Sequence, residues 1–132
     1  MNKNLPLSNI VVLDLTNVLS GPFATQILSD LGAEIIKVEK PNGDDSRKFG
    51  PFIKKRSSYF ISLNRGKKSI VVDFNNEEDK KIFKKLLAIS DVIIDNFKPG
   101  TLEKYGFSSS YLKKNFPSLI QTKISGFGET GP

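Results

Sequence analysis

Short β-branched apolar runs alternate along the chain with segments whose apolar residues recur at helical spacing. Ile10-Val11-Val12-Leu13, ending in Asp14, reads as a buried strand. After the turn-like Ser20-Gly21-Pro22, residues Phe23, Ala24, Ile27, Leu28 and Leu31 fall at i, i+3, i+4 positions. They predict a helix over Phe23–Leu31, with Pro22 in its first turn and Gly32 as its stop. Glu34–Val38 predicts a second strand. The result is a βαβ unit of about 30 residues, a pattern that pairs its strands in parallel with a right-handed crossover.

Farther along, Pro41–Arg56 reads as an irregular loop and Tyr59–Leu63 as a short strand or a helical turn. Ser69–Asp73 is a clear strand. Asn75 and Asn76, followed by Glu77 and Glu78, supply an N-cap and first-turn acids. The helix they open carries Ile82, Phe83, Leu86, Leu87 and Ile89 on one face, and Lys80, Lys81, Lys84 and Lys85 on a solvated one. Asp91–Asp95 is another strand, Asn96–Gly100 a loop, and Leu102–Tyr105 and Ser109–Lys114 short helices. Leu119–Ile124 predicts the last strand, before the glycine-rich Ser125–Pro132. No segment repeats. The fold class expected is α/β, a Rossmann-like parallel sheet flanked by helices.

A chain of 132 residues accommodates one such domain and a moderate core. Its 38% apolar content with 10 Phe separates it from disordered tails. No apolar run reaches the roughly 20 residues that span a membrane. Met1-Asn2-Lys3-Asn4 leads directly into the first strand pattern without a leader-like apolar region, which points to a cytoplasmic protein. The absence of Cys and His removes disulfides, thiolate nucleophiles, Ser-His-Asp machinery and imidazole zinc sites, and no metal is expected. The net charge of +6 comes from 20 basic and 14 acidic residues, but only Arg47, Arg56 and Arg65 are guanidinium groups. The Lys residues are dispersed from Lys3 to Lys123, a distribution that fits a solvated surface or a small anionic ligand better than nucleic acid.

Ligands of parallel sheets sit beyond the carboxyl ends of the strands. The segments there are Thr16–Pro22, Glu39–Pro41, Asp73–Asn76 and Asn96–Lys104. None holds GxGxxG or a Walker A sequence, so a dinucleotide fingerprint is lacking. They offer backbone amides, a helix N-terminus, and Lys40, Lys98 and Lys104, a set suited to a phosphorylated ligand with a long neutral portion. Asp14, Asp73 and Asp95 are expected to cap or shape turns, and Asp44-Asp45 to pair locally with Arg47. No two carboxylates have a spacing that assigns a general acid and base.

Longer stretches of residues carry more. Val12-Leu13-Asp14-Leu15-Thr16 and Leu19-Ser20-Gly21-Pro22-Phe23-Ala24-Thr25 resemble the opening signature of the family III CoA-transferases. That group includes formyl-CoA transferase, carnitine CoA-transferase and α-methylacyl-CoA racemase. The resemblance continues through Leu31–Pro41, Gly43–Arg47, Asn64–Ile70, Ala88–Gly100 and Ser125–Pro132, in the family's order and spacing from Leu5 onward.

The resemblance implies that residues 1–132 are the N-terminal, CoA-binding part of a larger Rossmann-like domain in an interlocked homodimer. It implies acyl-CoA and a carboxylic acid acceptor as substrates. Carried over residue by residue, the CoA contacts are Leu19, Ser20, Lys40, Val72, Asp73, Phe74, Asn75, Asn96, Phe97, Lys98 and Lys104. Lys40 and Lys104 stand where relatives often have Arg, which keeps the charge and loses the bidentate fork. The family's nucleophilic Asp is expected beyond Pro132. There it attacks the thioester to give a mixed anhydride, CoA returns to form an aspartyl thioester, and the acceptor takes the CoA. This span by itself is expected to be inactive. A racemase-type relative and a stand-alone CoA- or nucleotide-binding module are the alternatives, with DNA binding a third on the basic charge.

Overall fold

The structure is a computed structural model and describes residues 5–128; Met1–Asn4 and Glu129–Pro132, the last of them part of the family-like Ser125–Pro132 segment, lie outside the described residues. Val11–Asp14 (β1), Glu34–Glu39 (β2), Lys68–Val71 (β5), Val92–Asp95 (β6) and Ile120–Lys123 (β7) form one sheet in the order β5-β2-β1-β6-β7. Every pairing in it is parallel. Counting only these strands, the spatial order is 3-2-1-4-5, the doubly wound order without its sixth strand, so the expected fold class stands. Phe52–Ile53 (β3) and Arg56–Ser57 (β4) make a separate antiparallel hairpin.

Alternating side chains divide the core between the two sheet faces. On one, Leu13, Ile36, Val38 and Ile93 pack with Phe83 and Leu87 of Glu77–Ile89 (α3), Leu102 of Thr101–Lys104 (α4) and Leu112 of Ser109–Asn115 (α5). An aromatic cluster fills this layer: Phe74 stacks on Tyr105 at 5.2 Å and meets Phe83 and Phe107 edge-on. On the other, Val12, Ala33, Ile35 and Ile94 pack with Leu28 of Ser20–Asp30 (α1).

Several boundaries differ from the sequence reading. α1 begins at Ser20, because Gly21 and Pro22 form its first turn and are buried there. Proline costs no hydrogen bond that early in a helix, and at Gly21 a Cβ would overlap the Thr16 side chain. The expected loop over Pro41–Arg56 holds a 3₁₀ turn at Asp45–Lys48 and the β3–β4 hairpin. Lys54 and Lys55 occupy the hairpin tip with positive φ (48° and 64°), a Lys-Lys pair that carries no turn signature. Tyr59–Leu63 lies within a helix, Ser58–Asn64 (α2), capped by Ser57 Oγ. On α3 the buried stripe is narrower than expected: Phe83 and Leu87 are sealed, while Ile82 and Ile89 are exposed. At about 100° per residue, both lie on the side of the helix away from the Phe83–Leu87 arc that meets the core.

Candidate functional site

The chain leaves β1 toward α1 and β2, and leaves β6 toward α4, in opposite directions across the sheet. The crevice of a doubly wound fold lies at such a divergence. Asn17 and Asn96 join the two departing loops reciprocally. Asn17 N donates to Asn96 Oδ1, and Asn96 Nδ2 donates to Asn17 O, each at 2.9 Å.

Beneath these loops lies a charged layer that sequence reading did not find. Asp14 is fully buried and accepts from Thr16 N, Thr16 Oγ1, Thr25 Oγ1 and Lys67 Nζ. Lys67 Nζ also reaches Pro22 O (2.9 Å) and Asn64 Oδ1 (2.9 Å), tying the first turn of α1 to α2. Burial pulls the Lys67 ammonium below its usual range, and Asp14 opposes that pull. Lys37, on β2, pairs with Asp44 at 2.9 Å and donates to Thr16 O at 2.7 Å.

Glu39 completes the layer. Burial pushes its carboxyl up, but bonds from Arg47, Ser69 Oγ and Asp44 N outweigh burial and hold it down at about 2. Arg47 itself lies 3.8 Å over the Phe60 ring. The expected Asp44–Arg47 pairing is therefore not formed. Asp44 takes Lys37, Asp45 takes Lys40 at 2.8 Å, and Arg47 takes Glu39 at 2.6 Å. Lys37 and Glu39 lie on β2 and Lys40 directly follows it, so the pairings depend on how the loop folds back along that strand. Asp14, Glu39 and Asp44 are each committed to internal donors, so none of them is available to attack a thioester.

Two cavities flank the Asn17–Asn96 clamp and share Phe97. The first, about 170 Å³, is lined by Leu15, Asn17, Lys40, Val72, Phe74 and Tyr105 among others. The second, about 410 Å³, is lined by Ser20, Asn96, Lys98 and the Ile124–Gly126 backbone region. Of the contacts implied by the resemblance, Lys40, Val72 and Phe74 thus fall on the first cavity, Ser20, Asn96 and Lys98 on the second, and Phe97 on both. Leu19 is exposed at the head of α1 and its carbonyl starts the helix by accepting from Phe23 N. Asp73 and Asn75 form a turn, with Asp73 Oδ1 accepting from both nitrogens of Asn75. Lys104 is exposed on α4, outside both linings. Sequence reading did not single out Asn17, Thr101 or Tyr105, which also line the first cavity. Their proximity follows from the β1–β6 pairing, which no local pattern displays.

Lys40 is engaged by Asp45, whereas the side chains of Lys98 and Lys104 have no hydrogen-bond or ion-pair partner among the described residues. Among the described residues no helix is long and apolar enough to cross a membrane.

The chain is similar to acetyl-CoA:oxalate CoA-transferase of Acetobacter aceti, with 48% identity over 96% of this chain and 33% of that protein. It is 47% identical to human succinyl-CoA:glutarate CoA-transferase, over 100% of this chain and 31% of that one. A solved CAIB/BAIF family protein from Brucella suis superposes with a TM-score of 0.92 at 46% identity, over 98% of this chain and 36% of that chain. This chain therefore spans about a third of the length of the relatives it matches. Residues 7–132 match the profile of CoA-transferase family III, and the chain belongs to that family.

Proposed function

We propose that residues 1–132 bind CoA for a CoA-transferase that moves CoA from an acyl-CoA thioester to a carboxylic acid. One observation carries this: seven of the contacts the family resemblance implies line two adjoining cavities at the divergence of β1 and β6. Lys98, a cation without a side-chain partner among the described residues, suits a phosphate of the ligand, and the apolar walls of the first cavity, Leu15, Val72 and Phe74, suit its neutral portion. Relatives are named for oxalate, glutarate and L-malate, so the acceptor proposed is a dicarboxylic acid.

The nucleophilic carboxylate is assigned to the remainder of a full-length protein, since Asp14, Glu39 and Asp44 are each committed to internal donors. An interlocked homodimer working in the cytoplasm belongs to the same proposal. Support for further covering chain comes from the exposed apolar residues Phe23, Ile27 and Leu31 along α1. Calorimetric titration with CoA, beside ATP and duplex DNA, tests the binding role. Saturable CoA binding without DNA binding is expected. DNA binding with a steep salt slope and no CoA binding would overturn it.

A further inference from the structure

Val18 has a φ of 69°, and it is the only β-branched residue among the described residues in the left-handed region. Branching at Cβ crowds that conformation, so it persists only where the surroundings over-determine it. Three contacts do so. The Asn17 backbone is held by Asn96, Thr16 O accepts from Lys37 Nζ, and Val18 N donates to Asp44 Oδ1 at 3.3 Å. Lys37 and Asp44 are themselves ion-paired with side chains 1% and 0% exposed. The residues on either side of the turn meet the ligand cleft: Leu15 and Asn17 line the first cavity, and Ser20 lines the second.

A buried ion pair adds little stability over an apolar pair of the same shape. Its geometric consequence here is specific. We infer that Asp44 is a positioning residue of the cleft: anchored by Lys37, its Oδ1 fixes Val18 in the left-handed turn and so sets where Asn17 and Ser20 stand against ligand. The identity of that ligand rests on the CoA-binding proposal; the fixing of the turn does not. Asp44 touches no ligand in this role and acts through Val18.

Two double variants remove the charge pair and differ in the oxygen at position 44, which also accepts from Ser46 N and Oγ, so exchange at Ser46 is read beside exchange at Val18. K37M/D44N keeps an oxygen facing Val18 N, and K37M/D44L removes it. In K37M/D44L the Val18 amide is expected to exchange with solvent deuterium roughly tenfold faster than in K37M/D44N, and CoA to bind roughly tenfold more weakly. K37M/D44N, which loses the Lys37 bond to Thr16 O but keeps the acceptor, is expected to fall between the parent and K37M/D44L in both. Equal exchange at Val18 in the two folded variants overturns the inference, whatever CoA does. If CoA binds neither parent nor variants, the CoA proposal falls, and amide exchange still decides the role of Asp44. Should K37M/D44L fail to fold, Val18→Pro serves, since proline has no N–H for Asp44 and cannot take a positive φ, while the ion pair is kept. Faster exchange at Asn17, whose N–H donates to Asn96, with weaker CoA binding is then expected. Unchanged exchange and affinity overturn the inference.

Discussion

Lys67 Nζ lies 3.1 Å from Asp14 Oδ2, and both side chains are sealed from solvent at 1% and 0% exposure. The pair joins residues 53 positions apart and holds the base of α1 against β1. Removing one partner leaves the other charge buried and uncompensated, at a cost of about 3–5 kcal/mol. Lys67→Met is expected to destabilise the fold by that amount in urea unfolding, and the D14N/K67M double variant to recover a substantial part of it. A K67M loss below about 1 kcal/mol would show that water reaches the pair.

Glu39 gives the acid limb of the stability profile. Its pKa is about 2 when folded against an ordinary 4.5, so it binds fewer protons folded than unfolded. Its stabilising contribution is complete above pH 4.5 and is lost as pH falls from there toward 2. Arg47→Met removes two of the bonds that hold the carboxyl down. The expected outcome is a loss of roughly 1.5–3 kcal/mol at neutral pH and an acid transition narrowed toward 4.5 from below. Thermal midpoints measured from pH 2 to 7 check both, and an unaltered acid limb in R47M would rule this account out.

The parallel sheet was legible because β-branched runs such as Val11–Leu13 and Val92–Ile94 have few alternatives to burial on both faces. Binary pattern could not supply the start of α1, where Gly21 and Pro22 look like a turn until Thr16 is seen to demand a residue without Cβ. Nor could it supply the 3₁₀ turn, which depends on Asp44 being held by Lys37 from the neighbouring strand. For the proposed ligand cleft, the strand-end rule picked out the segments and Lys40 and Lys98, and the resemblance supplied the remaining contacts. Its walls draw a few residues from each of five strand ends, and each of those looks like an ordinary loop residue by itself.

The three lysines assigned to phosphate are not equivalent. Lys98 lines the second cavity without a side-chain partner among the described residues, Lys40 is shared with Asp45, and Lys104 stands outside both linings. Lys98→Ala is expected to weaken CoA binding about fivefold, a loss of about 1 kcal/mol for an exposed charge contact. Lys104→Ala should weaken it less. Calorimetry at two salt concentrations measures both, and K98A should also lower the salt sensitivity of binding. An effect of K104A larger than that of K98A would place the phosphate on α4 instead.

Asn96 is counted among the CoA contacts by resemblance, and both polar atoms of its side chain engage the Asn17 backbone. A direct ligand bond would use the second Nδ2 proton or the second lone pair of Oδ1. The two roles predict different responses to Asn96→Asp. Aspartate keeps an acceptor for Asn17 N but sets a second oxygen against Asn17 O, so the clamp loses one bond and gains a repulsion. If the clamp is what matters, N96D costs about 1–3 kcal/mol of stability and weakens CoA binding in step, because the loops on both sides of the cleft separate. If Asn96 chiefly contacts ligand, N96D weakens binding with little change in unfolding free energy. The geometry favours the first outcome. Paired urea unfolding and CoA titration of N96D and N96A check it, and N96A should follow N96D in both measurements.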